Sequence, residues 1–460
     1  MPGMLARQRL SIVALAALAV LSSLPSGLDA QADFAGVDAV ALKEIAQAQA
    51  PGAAIAIVQD GRVVYTRAFG IANVETGEET RPEMLFRLGS TTKMFTAAAV
   101  VLLADQGKLN LNEPIGKHIP GLAPKLAGLT AHQLLSHTSG ILDEAPMFGS
   151  HDDDALKKVA TSWTDTRFFA EPGQIYSYSN PGYWLAGLLA EQAGGRPFAD
   201  QVAATIFAPL GMSRSTFRPT IAMTYPMAQG HDLVNGKAQI IRPTANNTAS
   251  WPAGSIFSSV IDLSRWITAF LEGGMLEDRQ ALPSTVFSRL ATPHAAIPGS
   301  SDKYGYGVAL VEWRGLPVVQ HGGSRSGYGS VIRMVPSRRF GVVVLANRSG
   351  VTLTRTADAA TEAVLKLPPA PAAPTRPVLT TTAAERARFT GIYSQGARQM
   401  AIAQKGDDLI VQQAGSEQLL QKIGDLAFTA SGGVRLAFVA DSSGAITFVH
   451  LGGRSWRKIK

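Results

Sequence analysis

Phe86-Arg87-Leu88-Gly89-Ser90-Thr91-Thr92-Lys93-Met94-Phe95 leads into an almost unbroken apolar run through Ala97–Val101, Leu102 and Leu103. Neither glycine nor proline interrupts it before Gly107, which suits a helix C-cap after Asp105-Gln106. A helix that is apolar on most sides is a buried central helix. Ser90 and Lys93 therefore stand at the mouth of a core helix. Residues three apart share a helix face, so the Lys93 amine is predicted to reach the Ser90 hydroxyl. The unpaired N–H groups and positive dipole end of the helix favour an oxyanion formed when Ser90 attacks a carbonyl. Burial depresses a lysine pKa and lets it act as a base. Ser-x-x-Lys recurs at Ser300-Ser301-Asp302-Lys303, in a polar loop with no apolar helix behind it. Context, not the pattern, singles out Ser90.

The chain has 460 residues, room for two or three domains. It has no cysteine, which excludes disulfides, cysteine-ligated zinc and a thiol nucleophile. The net charge of +7 is scattered, with small clusters at Arg338-Arg339 and between Arg454 and Lys460. That pattern is a solvated surface, and no nucleic-acid partner is expected. His151–Asp154 reads as an exposed helix start rather than a cation site. No metal and no cofactor are expected.

Residues 1–32 read as a signal peptide. Arg7 and Arg9 open it, Ser11–Leu24 is apolar but short for a membrane span, and Ala30-Gln31-Ala32 is a small-x-small cleavage site. The expectation is a periplasmic or secreted protein with no stable membrane span after cleavage.

Further along, Asp33–Ala50 has amphipathic helical spacing. Ala53–Val58 and Arg62–Phe69 are predicted strands joined by Asp60-Gly61. Ser258–Leu271 is an amphipathic helix. Tyr306–Glu312, Leu316–Gln320, Tyr328–Val335 and Phe340–Ala346 read as antiparallel strands, and Thr352–Leu365 as a closing helix. Strands at both ends with helices between them predict an α/β (α+β) domain over 33–366, with one antiparallel sheet built from remote segments and an inserted helical region. Residues 367–378 hold five prolines and read as a stiff linker. Residues 379–460 carry eight short strands punctuated by turns, a small β-barrel or sandwich.

Two more motifs join Ser90 and Lys93. Tyr176-Ser177-Tyr178-Ser179-Asn180 precedes Pro181-Gly182. A phenol near a lysine can shuttle protons, with its pKa lowered by the cation. An asparagine on the following turn can hold the lysine and a substrate amide together. His321-Gly322-Gly323-Ser324 follows the strand Leu316–Gln320, where glycines let a substrate backbone lie against the strand edge. The Ser324 N–H is a candidate second oxyanion donor, and His321 a polar or cationic group for a substrate carboxylate or for Tyr178. Lys303-Tyr304-Gly305 and His450-Leu451-Gly452 match the third motif only loosely.

In this order the three motifs resemble those of the penicillin-recognising serine hydrolases: class C β-lactamases, D-alanyl-D-alanine carboxypeptidases, D-aminopeptidases and related esterases. The resemblance covers roughly residues 36–366 and includes Leu134 to Gly140 and Trp251-Pro252-Ala253-Gly254. It implies Ser90 as the acylated nucleophile, Lys93 as base or proton relay and Tyr178 as the proton-exchanging tyrosine. Asn180, His321, Gly323 and Ser324 would bind substrate. The tyrosine-containing second motif points away from the class A pattern, and histidine replaces lysine in the third. Residues 379–460 resemble the lipocalin-like barrels appended to some members.

The function so implied is an exported serine hydrolase acting through an acyl-enzyme on a small-molecule or short-peptide amide or ester, of D-amino-acid peptide, carboxypeptidase or esterase type. A class C-like β-lactamase is one alternative. A catalytically weak binding or assembly protein on the same scaffold is the other, and a homo-oligomer through the C-terminal domain is a possible partner state.

Overall fold

A computed structural model describes residues 34–368, 379–430 and 433–460. The expected signal segment, and nearly all of the proline-rich linker, lie outside the described residues. Helix α1 (Ala35–Gln47) leads into the hairpin of β1 (Gly52–Gln59) and β2 (Arg62–Asn73). Along β1 the side chains alternate between two cores. Ala53, Ile55 and Ile57 pack with Val37, Ala41 and Ile45 of α1. Ala54, Ala56 and Val58 pack with the second core, which holds the helix after Ser90. A strand buried on both faces is central in its sheet, and its run of alanine and β-branched residues follows from that.

The sheet has nine strands. Beyond β2 lies β3 (Glu78–Glu79). On the other side of β1 the order runs through strands from the far end of the region: β4 (Ala295–Ala296), β5 (Lys303–Tyr304), β6 (Ala309–Trp313), β7 (Leu316–Arg325), β8 (Tyr328–Val335) and β9 (Phe340–Ala346). The spatial order is β4-β5-β6-β7-β8-β9-β1-β2-β3. Pairing of β1 with β9, Ile55 opposite Val344, joins segments almost three hundred residues apart. The remote closure of the sheet is as expected. Several strand bounds differ: the second strand runs on to Asn73, the strand expected over Tyr306–Glu312 is Ala309–Trp313, and one difference bears on the site. β7 does not stop at Gln320 but continues through His321-Gly322-Gly323-Ser324 to Arg325. An added Cβ at Gly323 would stand 1.8 Å from the Leu88 carbonyl oxygen, so glycine lets the strand pass flush against the turn before Ser90.

Helix α2 (Thr92–Asp105) is buried along almost its whole length. It packs with α3 (Asn180–Gly194) and α4 (Val260–Leu271) in the second core. Helix α5 (Thr354–Leu365) lies with α1 on the first core. Beyond it, α6 (Ala383–Phe389) was not expected from the strand pattern. Its signal is local: Thr382 and Glu385 form a reciprocal capping box.

The last region is a closed barrel of eight strands: β10 (Gly391–Gln395), β11 (Arg398–Lys405), β12 (Asp408–Gln413), β13 (Ser416–Lys422), β14 (Ala427–Thr429), β15 (Arg435–Ala440), β16 (Ile446–Leu451) and β17 (Arg454–Lys458). Antiparallel pairing of β10 with β17 closes it. Tyr393, Met400, Ile402, Leu409, Phe428 and Phe438 are among the residues filling its interior. The barrel does not hang free. Phe448 on β16 packs with Leu142, Phe169, Ala170 and Ile175 of the inserted helical region.

Candidate active site

Ser90 lies in a 3-10 turn, Gly89–Thr91, that runs directly into α2. The turn is pinned from behind: the Leu88 carbonyl accepts from Thr91 Oγ1 at 2.8 Å and from Ser330 Oγ at 2.6 Å. Gly89 has φ +58°, and an added Cβ would lie 2.6 Å from the Ser324 nitrogen. Only glycine suits both the left-handed backbone and the approach of β7. The backbone N–H groups of this turn and of Ser324 are thus brought close together.

Lys93, one turn on, is fully enclosed, with no exposed surface. Its Nζ is 2.7 Å from Asn180 Oδ1, 2.7 Å from the Ala253 carbonyl oxygen and 3.4 Å from Ser90 Oγ. The Tyr178 ring centroid is 4.7 Å away. Desolvation holds the Lys93 pKa well below that of a free lysine; Asp143 opposes the shift, and Arg454 and Arg325 reinforce it. Two acceptors at 2.7 Å take the two N–H bonds of a neutral amine. That leaves its lone pair for the Ser90 hydroxyl, the arrangement a general base needs.

Asn180 opens α3, where Ser179 Oγ caps the helix by accepting from the Gly182 N–H at 3.1 Å. While its Oδ1 accepts from Lys93, Asn180 Nδ2 donates to Asp143 Oδ1 at 3.1 Å, and its backbone N–H donates to the same oxygen at 2.8 Å. The Tyr178 hydroxyl is buried and has no settled hydrogen-bond partner. Burial raises its pKa, outweighing the lowering by the nearby Ser90 hydroxyl. This corrects the expectation that the lysine would acidify the phenol: desolvation prevails, and the group remains a phenol.

Of the two forms expected of His321, polar or cationic, the geometry favours the polar one, with the ring centroid 6.2 Å from that of Tyr178. The His321 Nδ1 is 2.6 Å from the Gly322 carbonyl, which can only accept, so Nδ1 carries the proton. Nε2 then accepts from the Tyr304 hydroxyl at 3.0 Å. Burial, together with the charge of Lys93, pushes its pKa down to about 4. The ring is therefore neutral near pH 7 and already occupied, not a cation awaiting a carboxylate. His137, in the phrase Leu134 to Gly140, is buried against the Tyr178 ring at 4.2 Å, and its Nδ1 accepts the Ser179 N–H at 3.1 Å. It positions the tyrosine motif.

Ser90, Tyr178, Asn180 and Ser324 line one cleft of about 270 Å³, with Ala145, Pro146, Met147, Ser250, Arg325 and Arg454 among the other walls. Lys93 lies beneath its floor. His321 and Gly323 do not line it; Gly323 sets the approach of β7 and His321 packs behind.

Two residues of the site had not been anticipated. Asp143 is buried and orients Asn180. Arg454, at the start of the last barrel strand, donates from Nε to Asp143 Oδ2 at 2.6 Å and stacks over the Tyr178 ring at 5.4 Å. The same barrel hairpin grips the tyrosine motif through its backbone. The Tyr178 N–H donates to the Gly453 carbonyl at 2.9 Å, and Ser177 Oγ accepts from the Ser455 N–H at 3.1 Å and from Gln395 Nε2 at 3.2 Å. The segment His450-Leu451-Gly452, set aside as a motif, thus leads into a wall of the site. No local pattern marks Asp143 or Arg454. Among the described residues no group of acidic or histidine side chains is arranged to hold a metal ion.

Comparison with known proteins agrees with this geometry. The beta-lactamase family profile matches residues 37–366. The chain is 28% identical over 310 residues to penicillin-binding protein 4 of Amycolatopsis lactamdurans, covering 65% of this chain and 81% of that protein. It is 26% identical over 324 residues to protein flp of Staphylococcus aureus strain MW2, covering 68% of this chain. The match spans 62% of the length of flp. The crystal structure of SurE superposes with TM-score 0.74 at 25% identity, covering 93% of this chain and all of that one. An octameric penicillin-binding protein homologue from Pyrococcus abyssi superposes with TM-score 0.67 at 25% identity over the same shares. By fold, by the motifs gathered at Ser90 and by family match, the chain belongs to the beta-lactamase family of penicillin-recognising serine hydrolases.

Proposed function

We propose that this protein hydrolyses an amide or ester through an acyl-enzyme on Ser90. The observation that carries the reading is the Lys93 amine, buried and held by Asn180 and the Ala253 carbonyl with its remaining direction toward Ser90 Oγ at 3.4 Å. Lys93 takes the serine proton as Oγ attacks the carbonyl carbon. The N–H groups of the Ser90 turn and of Ser324 receive the developing oxyanion. Tyr178, a buried phenol beside both groups, hands a proton to the leaving group, which departs. The acyl-enzyme is then attacked by water along the same relay in reverse. Resemblance to a penicillin-binding protein supports a substrate of D-amino-acid peptide type, and the amino-terminal segment supports export. The octameric relative makes self-association through the barrel a reading to test by light scattering.

The test is an intact-mass time course of the protein with benzylpenicillin and, separately, with an activated ester, alongside Ser90→Ala. The expected result is an adduct on the wild type and none on the variant. A lasting penicillin adduct assigns a penicillin-binding peptidase, and rapid loss a β-lactamase. Absence of any Ser90 adduct with both reagents defeats the proposal in favour of a binding protein.

A further inference from the structure

Tyr304, in a segment that matches the third motif only loosely, closes β5 and is 2% exposed. Its hydroxyl lies 3.0 Å from His321 Nε2 on β7. Burial holds this phenol well above the ordinary tyrosine pKa, so it keeps its proton for donation. The neighbouring Tyr183 hydroxyl spends its own proton on the Leu135 carbonyl at 2.8 Å and is no rival donor to the ring. The buried His321 ring is also faced by Tyr178, by His137 and by the Lys93 amine. With Nε2 held by Tyr304, Nδ1 donates to the Gly322 carbonyl at 2.6 Å.

That last bond falls where the strand is least restrained. β6 pairs with β7 only as far as Ala309 opposite Gln320, whereas β8 pairs with it through Arg325. From His321 onward β7 therefore has a strand on one side alone. Gly322 and Gly323 lie in that stretch, and two successive glycines make a very permissive backbone. Gly323 is pressed on the Leu88 carbonyl, but an added Cβ at Gly322 would meet nothing nearer than 3.8 Å, so packing does not fix that residue. A hydrogen bond to its carbonyl does. The peptide planes so steadied lead to the Ser324 N–H, and a donor aimed at an oxyanion must be held to within about 0.5 Å.

We infer that Tyr304 is a positioning residue for the oxyanion site: its hydroxyl holds the His321 ring so that Nδ1 secures the Gly322 carbonyl and the backbone leading to Ser324. The inference rests on the reading of the Ser324 N–H as an oxyanion donor in acylation of Ser90. It gives a purpose to a buried histidine whose two nitrogens are both occupied within the protein and whose ring does not line the cleft.

The test joins two measurements on the full-length protein: single-turnover acylation by p-nitrophenyl acetate, with rate and half-saturation read separately, and proton–nitrogen spectra of the histidine rings at pH 7. In the wild type the His321 signals, assigned by their loss in His321→Gln, should show one neutral tautomer with the proton on Nδ1. Tyr304→Phe should slow acylation about 10-fold at unchanged half-saturation, less than the roughly 10²- to 10³-fold that losing an oxyanion donor costs. His321→Leu should slow it at least as much, and Tyr304→Phe added to it should slow it no further. His321→Gln, which can accept from Tyr304 and donate to Gly322, should recover part of the rate. A proton on Nε2, a cationic ring, a Tyr304→Phe rate within about twofold of wild type, a change in half-saturation alone, or additive slowing in the double variant overturns the inference. Should Tyr304→Phe not fold, equal rates for His321→Leu and His321→Gln overturn it. A wild type that never acylates defeats the hydrolase reading instead, and the ring signals then decide the hold of Tyr304 on His321 without turnover.

Discussion

At the residue scale the site turns on why the Lys93 pKa is held down inside the protein. Its amine meets no carboxylate directly; it meets an amide oxygen and a backbone carbonyl, and Asp143 acts only through Asn180. Desolvation therefore prevails and the amine form is favoured. Lys93→Arg should put a permanent cation of similar reach in place of the amine and remove the lone pair. Acylation of Ser90 should slow about 10²- to 10⁴-fold, the usual contribution of a general base, with the protein still folded. A stopped-flow rate with an activated ester checks this, and a rate within a few-fold of wild type removes Lys93 from proton transfer. In the wild type the base form is lost as pH falls through the lowered lysine pKa, so the acylation rate should fall on the acid side. Tyr178→Phe should slow both formation and loss of the adduct, because one phenol serves both proton transfers. Slowing of only one step would assign the other to water.

Elements, rather than single residues, aim these groups. Strand β7 is pressed against the serine turn because Gly323 and Gly89 leave no side chain between them. Helix α3 presents Asn180 because Ser179 caps it there. The hairpin between β16 and β17 holds the tyrosine motif, and His450 braces that hairpin: its Nδ1 is 2.9 Å from Ser455 Oγ, which itself donates to the Tyr176 carbonyl at 2.8 Å. Burial pushes the His450 pKa down to about 4, from an ordinary value near 6.5. A histidine kept neutral by the fold costs nothing above about pH 6.5 and progressively destabilises the fold as pH drops toward 4. The full loss is on the order of 3 kcal/mol. His137 and His321 are depressed in the same sense. Urea melts at pH 7 and pH 4.5 should show His450→Gln losing about 2 kcal/mol less on acidification than the wild type. An equal loss in both proteins would place the acid sensitivity elsewhere.

The whole molecule couples the barrel to the reaction. Removing residues 369–460 leaves Ser90, Lys93, Tyr178 and Asn180 in the chain. It strips Arg454 from Asp143, Gly453 from the Tyr178 N–H, Ser455 and Gln395 from Ser177, and Phe448 from its apolar seat. The shortened chain should melt lower and acylate Ser90 at least tenfold more slowly, because a buried Asp143 without its cation no longer fixes Asn180. An unchanged acylation rate would make the barrel a passive appendage.

The sequence by itself determined which chemistry is present and which elements carry it. Ser-x-x-Lys before an apolar helix, Tyr-Ser-Asn before a proline-started helix and His-Gly-Gly on a strand are local patterns, and helix and strand periods act over a few residues. The eight barrel strands were legible for the same reason, while the short helix after Thr382 was hidden by the strand-rich pattern around it. Tertiary structure alone decided what lies between those elements. Arg454 and Asp143 are 311 residues apart, and neither has a neighbour in sequence that announces the other. The protonation of Tyr178 and His321 was likewise out of reach, because a pKa depends on burial and on the groups facing it.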